Sequence, residues 1–230
     1  MRILVFQNYP CEDAAMAGDA FRELGHVLVV VNAFGGDPPP SFADGDAALA
    51  LGGPMNVYEE EKHPFLAWQT DWIRRWVLED RPFLGLCLGA QLLSKAMGGK
   101  VYKNSRREIG HCAIELTPAG KADPVFAGFP PAFPAAQWHQ DTFTIPPGGA
   151  HLARSAACEN QAMRIRRAIG LQFHLEINRA KMADWIREYA PDPALAGIDA
   201  AGILADFADF EKSYEQSARR LIANFCSAIG

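Results

Sequence analysis

The stretch Gly85-Leu86-Cys87-Leu88-Gly89-Ala90-Gln91 places a thiol between two glycines at the point where an apolar run gives way to helical spacing. Before it, Arg81-Pro82-Phe83-Leu84 supplies a breaker and a strand-like run; after it, Leu88, Gln91, Leu92, Lys95 and Ala96 recur at helical intervals. A sharp strand-to-helix turn with a nucleophile at its apex accounts for both sides. The glycines remove side chains where strand and helix cross, and they let the backbone take strained angles that push the thiol outward. Cys87 then sits at a helix N-terminus, where the macrodipole and unpaired N–H groups favour thiolate over thiol. Taken alone, the pattern also fits a small cysteine buried behind a core strand.

Working outward from the elbow, Ile3 to Phe6, Val27 to Val31, Ala47 to Leu51 and Phe83 to Leu86 are apolar runs separated by helix-length or loop segments. That alternation predicts a mostly parallel central sheet flanked by helices, buried on both faces. Glu12 to Leu24 and Pro64 to Leu78 read as two of the helices, the second placing Phe65, Trp68, Trp72 and Trp76 on a core-facing stripe. Beyond the elbow, Val101-Tyr102, Ile109 to Leu116, His151 to Ala156 and Met163 to Ile169 read as strands of a smaller antiparallel extension. Arg164, Arg166 and Arg167 fall in a solvated hairpin. Asn178 caps a helix running to Tyr189, and Pro191 to Ile198 interrupts it. An amphipathic helix over about 202–228 then places Ile203, Phe207, Tyr214, Leu221 and Phe225 on one stripe, expected to cover the chain's own sheet. The whole reads as one domain, 1–230.

A second segment turns the elbow into a candidate site. Leu171-Gln172-Phe173-His174-Leu175-Glu176-Ile177 alternates apolar and polar residues, which predicts a half-buried strand with His174 and Glu176 on one face. A carboxylate so placed orients the imidazole and stabilises its protonated form, the triad logic with cysteine as nucleophile. A third segment, Leu51-Gly52-Gly53-Pro54, follows an apolar run with a turn that can expose backbone N–H groups. The N–H of Gly53, with that of Leu88 just past the nucleophile, would make a two-donor oxyanion hole.

These three segments resemble, in order and separation, the signatures of the class I (triad) glutamine amidotransferases. The resemblance runs from the first strand to Glu176 and its following helix, and implies a flavodoxin-like α/β fold. It implies Cys87 as nucleophile, His174 as general base and acid, Glu176 as its orienting partner, Gly53 and Leu88 as oxyanion donors, and Gln91 as a contact to bound glutamine. Trp138-His139-Gln140-Asp141, read as a loop stiffened by Pro130, Pro131, Pro134, Pro146 and Pro147, adds His139 and Gln140 as substrate contacts. That segment and Glu108-Ile109-Gly110 are similar to the free-standing GMP-synthase-like and γ-glutamyl peptidase-like members. Many relatives have histidine where this chain has Ala90, a departure that leaves the triad intact but weakens any inference to a particular synthetase.

Composition excludes other classes. At 230 residues and 49% apolar content the chain can build a sizeable core, and its net charge of −5 gives no basic face for nucleic acid. Five widely spaced cysteines without a C-x-x-C pair favour neither a disulfide framework nor a zinc site. With no charged-then-apolar leader and no apolar run of membrane-spanning length, a cytoplasmic protein without membrane partners is expected. The chemistry needs no cofactor and no metal. The leading expectation is cysteine-dependent hydrolysis of the glutamine side-chain amide through a γ-glutamyl thioester, with ammonia passing to a synthetase on another chain. Two alternatives stand beside it: a free-standing γ-glutamyl peptide or amide hydrolase, and a non-catalytic thiol sensor or binding module on the same fold.

Overall fold

The computed structural model describes residues 1–189, 191–192 and 196–229. The chain runs β1 (Arg2–Gln7), α1 (Ala15–Glu23), β2 (Val27–Asn32), β3 (Ala47–Ala50), α2 (Phe65–Leu78), β4 (Phe83–Leu86) and α3 (Leu88–Ala96). It continues through β5 (Val101–Leu116), α4 (Pro118–Ala122), β6 (Ala132–Phe143), β7 (Ala150–Arg154), β8 (Ala162–Ile165), β9 (Ala168–Leu171), α5 (Arg179–Tyr189) and α6 (Ala200–Ile229). One nine-stranded sheet forms in the order β2-β1-β3-β4-β9-β8-β7-β5-β6. The first five strands pair in parallel; β8, β7, β5 and β6 continue the same sheet antiparallel.

The parallel strands are continuous apolar runs because both faces are covered, and their alternation splits the core in two. Ile3, Val5, Leu49 and Leu84 point to one side, where Phe21 of α1, Trp185 of α5 and Phe207 and Phe225 of α6 pack. Leu4, Phe6, Ala48 and Phe83 point to the other, against Trp72 and Trp76 of α2 and Leu92 and Leu93 of α3. The two tryptophan N–H groups are satisfied by the carbonyls of Pro40 and Pro82, as burial of an indole requires. Every fully buried side chain of this size contributes about 1.5–3 kcal/mol. The stripe on α6 covers its own sheet, with Phe225 edge-on to Phe21.

Several expectations change. The first helix begins at Ala15, leaving Glu12 in the connection after β1. The Met163–Ile169 run is the hairpin expected around Arg164, Arg166 and Arg167, with Arg166 at positive φ in the turn between β8 and β9. The Trp138–Asp141 segment is not a loop but part of β6, an edge strand, where Pro134 removes a donor that the open side does not need. The Leu171–Ile177 strand ends at Leu171; the chain then leaves the ladder, held by a single bridge between His174 and Ala136. Its polar residues are as buried as its apolar ones, so period two here marks two packed faces rather than a half-solvated strand. Asn178 caps α5 as expected, its side chain accepting from Lys181 N at 2.9 Å. Within the expected interruption at Pro191 to Ile198, residues 193–195 lie outside the described residues. Among the described residues no helix is long and apolar enough to cross a membrane.

Candidate active site

The site is assembled where four neighbouring parallel strands end. Glu12 follows β1, Gly52 and Gly53 follow β3, Cys87 follows β4, and the Gln172–Glu176 segment follows β9. Open α/β sheets gather ligands beyond the carboxyl ends of their strands, because there the connections are free to vary over a rigid base.

Cys87 is held at φ 49° and ψ −105°, a strained conformation for a residue with a side chain, at the N-cap of α3. The glycines make the turn possible. A Cβ on Gly85 would stand 2.5 Å from the backbone of Gly89, and one on Gly89 would collide with the carbonyl oxygen of Ala50. Cys87 N donates to Leu171 O at 2.7 Å, tying the elbow to the strand that delivers the histidine. The sulfur receives a hydrogen bond from Gln172 Nε2 at 3.5 Å. Gln172 in turn accepts from Gln91 Nε2 at 3.2 Å.

His174 follows β9, which pairs antiparallel with β8 of the extension and parallel with β4, and so returns the chain beside the elbow. Its Nδ1 pairs with Glu176 Oε1 at 2.5 Å, while Glu176 Oε2 accepts from Leu175 N at 3.0 Å. Both carboxylate oxygens are thus engaged, and Nε2 is the ring atom left for chemistry. Trp185 packs edge-on to the ring at 4.8 Å. Burial alone would lower the pKa of His174. The Glu176 charge, together with the interactions of Glu176 and Cys87 with the ring, outweighs it and raises the value well above the ordinary.

Gly53 packs on the elbow, where a Cβ would stand 3.0 Å from Leu88 Cδ2. Its turn is fixed by Asn8, whose Nδ2 donates to Leu51 O at 2.9 Å and whose Oδ1 accepts from Gln69. The N–H groups of Gly53 and Leu88 have no acceptor among the described residues. The pocket is lined by Gly53, Cys87, Gln91, His139, Gln140 and His174.

On the opposite wall, His139 does not present a free ring to the pocket. Its Nδ1 faces Asp141 O at 2.9 Å and its Nε2 faces Glu108 Oε2 at 3.1 Å. Glu108 also accepts from Ser155 Oγ and from Gln161 Nε2, both at 2.7 Å. Burial would raise the Glu108 carboxyl, but the hydrogen bonds of His139 and Ser155 prevail and hold it below the usual range. Glu108, His139 and Cys158 bring donor atoms within 4.8 Å of one another, a spacing a metal could use. Each of those atoms already has a protein partner, Cys158 Sγ pairing with Thr142 Oγ1 at 3.1 Å, so hydrogen bonding accounts for the cluster. Gln140 donates to Asn104 O, and Gln91 spends its second hydrogen bond on Asp141 O, so both line the pocket from fixed positions.

Four residues of the site carried no signal of their own in the residue pattern: Gln172 against the sulfur, Glu12 near His174, Tyr189 bonded to Glu12, and Tyr58, which donates to Asp141 Oδ2 at 2.9 Å. Glu12 and Tyr189 meet across 177 residues of sequence, a separation that no local spacing encodes.

Residues 18–187 match the family model described as glutamine amidotransferase class-I. The chain is 41% identical over 132 residues to the glutamine-hydrolyzing GMP synthase of Thermomicrobium roseum, a match covering 56% of this chain and only 23% of that protein's length. It is 32% identical over 147 residues to one of the subunits of the glutamine-hydrolyzing GMP synthase of Sulfurisphaera tokodaii, covering 63% of this chain and 74% of that one. A crystal structure of a glutamine amidotransferase from Thermotoga maritima superposes with a TM-score of 0.89 at 32% identity, covering 97% of each chain.

Proposed function

Since the chain belongs to the class-I glutamine amidotransferase family, we propose that it hydrolyses the side-chain amide of glutamine, with Cys87, His174 and Glu176 as the catalytic residues. One observation carries the proposal: the strained elbow at Cys87 abuts a buried His174–Glu176 pair delivered by the adjacent strand. In the first half-reaction the Cys87 thiolate attacks the amide carbon and forms the C–S bond. The N–H groups of Gly53 and Leu88 receive the developing oxyanion. The His174 imidazolium gives its Nε2 proton to the leaving nitrogen as the C–N bond breaks, releasing ammonia. In the second half, neutral His174 takes a proton from water, whose oxygen attacks the thioester carbon. The C–S bond breaks, its electron pair stays on sulfur, glutamate leaves, and the Cys87 thiolate and His174 imidazolium are restored. Glu176 holds the ring in the productive tautomer throughout.

Gln91, His139 and Gln140 form the side of the pocket assigned to the amino-acid end of glutamine. The ammonia acceptor would be a synthetase on a separate chain, a reading supported by the Sulfurisphaera tokodaii relative, which is named as one subunit of a GMP synthase. The thiol-sensor alternative leaves the buried His174–Glu176 pair without a purpose, since a reactive thiol needs no aimed proton donor. The test is glutamate release from glutamine by purified protein, with Cys87→Ala as control. Release that depends on Cys87 supports the reading, and equal release by the variant sinks it.

A further inference from the structure

Glu12 stands against the proposed catalytic pair and has no part in the reaction as written. It follows β1, is 6% exposed and lines the pocket. Its Oε1 accepts from Tyr189 Oη at 2.8 Å; its Oε2 has no hydrogen-bond donor among the described residues. The position of that free oxygen is informative. A Cβ on Gly52 would lie 2.7 Å from Glu12 Oε2 and 3.6 Å from His174 Cε1, so carboxylate and imidazole edge flank one point on the oxyanion turn.

The carboxyl also lacks a committed cation. Burial pushes it up to about 7, with the His174 charge and the Tyr189 hydrogen bond acting the other way. Lys181 is near enough to be felt, but its ammonium is held by Asp13 Oδ2 at 2.7 Å. The cations lining the pocket, Lys103 and Arg107, sit on β5, where Lys103 is in register with Asp141 and Glu108 with His139. The lysine and arginine that line the pocket thus come from the strand paired with the His139 segment, whereas Glu12 comes from the end of β1, on the side of Gly52 and His174. A γ-glutamyl group whose amino-acid end lies toward Gln91 and His139 directs its leaving nitrogen toward His174 and Glu12.

We propose that Glu12 forms a leaving-group subsite for cationic amines, so that the preferred substrates are γ-glutamyl amides whose amine carries a second, protonated nitrogen. This rests on the assignment of Cys87 and His174 as the reacting pair. A buried carboxylate oxygen without a donor, facing a ligand ammonium, makes a charge-assisted hydrogen bond, roughly twice as strong as a neutral one. Glutamine, which lacks the second nitrogen, leaves that oxygen unused.

The test compares two isosteric probes, the γ-glutamyl amides of 2-aminoethylamine and of propylamine. Their binding is measured by calorimetry to Cys87→Ala protein at pH 8, with and without Glu12→Gln. The expected result is about tenfold or more tighter binding of the charged amide, with the ratio falling to about one in the Glu12→Gln background. Should that variant fold poorly, Gly52→Ala serves in its place, because the added Cβ collides with Oε2 and must displace it. Equal affinities, a preference that survives both substitutions, or no binding of either amide would overturn the subsite. So would a parallel loss of both affinities, which would mark Glu12 as a strut for α5. Glutamine turnover by the protein with Cys87 intact reports separately on the proposed hydrolysis. A charge preference without turnover would sink that reading alone, and turnover without a preference would sink only the subsite.

Discussion

The two walls of the pocket are built by different means. On one wall, Gly53, Cys87 and His174 each sit within three residues of the end of a parallel strand, and each is aimed by the short connection that carries it. On the other, Glu108 and His139 project from the long β5–β6 ribbon and are fixed by partners from elsewhere, Ser155 and Gln161 among them. The first wall stores strain at a reactive group, and the second satisfies buried charge. The contrast predicts that substitutions on the first wall act mainly on turnover and those in the Glu108 network mainly on stability.

The largest expected effect is on the first wall. Cys87→Ala removes the proposed nucleophile without adding volume, and should cut glutamate release by at least about four orders of magnitude. The melting temperature should change by only a few degrees, because the one buried donor that loses an acceptor, Gln172 Nε2, makes only a long contact of 3.5 Å to the sulfur. A loss of fold together with activity would erase the distinction. Next in size comes the second wall, where Glu108→Ala strips the acceptor from His139, Ser155 and Gln161 together. Breaking a buried charged network of this kind costs about 3–5 kcal/mol, readable as a lower denaturation midpoint. A stability change under about 1 kcal/mol would show that the network is dispensable.

The same contrast explains how much of the molecule was legible in its sequence. Cys87, Gly53, His174 and Glu176 could be placed because each depends on a handful of neighbouring residues: glycines at the elbow, a Gly-Gly-Pro turn, a His and Glu two apart. The parallel strands were legible for the same reason, as uninterrupted apolar runs. What misled was polarity. Gln172, His174 and Glu176 alternate with apolar residues as a half-exposed strand does, yet all three are buried because the site itself packs around them. Prolines around Trp138–Asp141 suggested a loop, whereas Pro134 sits on an edge strand that can spare its N–H. Glu12 was hidden in what looked like the first turn of a helix, and its partner Tyr189 lies near the far end of the chain. Interactions that arise only when remote segments meet leave no period to read.

Glu176→Gln sharpens the first wall from within. The amide keeps the shape but no longer stabilises the imidazolium, and it can turn an N–H toward Nδ1 and enforce the wrong tautomer. A fall in kcat of about 10²–10³-fold is expected, larger than the change in KM. The acid and base limbs of the pH–rate profile should report the same loss, since the raised pKa of His174 owes much to that carboxylate. An unchanged kcat with a weakened KM would instead make Glu176 a part of the binding surface.

The smallest effect tests Glu12, which belongs to the first wall by position and to the second by its burial. Its carboxyl is raised from the ordinary value of 4.5 to about 7, mainly by burial. Below the ordinary value the group is protonated in both folded and unfolded chains, and it imposes no penalty. Between 4.5 and 7 the unfolded chain ionises while the folded one keeps its proton, so stability falls as pH rises; above 7 the penalty is constant. Glu12→Gln, neutral at every pH, escapes that loss. The difference in melting temperature, variant minus parent, should therefore rise by a few degrees between pH 5 and pH 8. His174, Glu176, Lys181 and Tyr189 face the same carboxyl but remain in both proteins, so the subtraction isolates Glu12. A flat difference would mean that Glu12 is ionised and solvated across the range, placing it with the open chemistry of the first wall; a rise would give that wall one buried charge of the kind that otherwise defines the second.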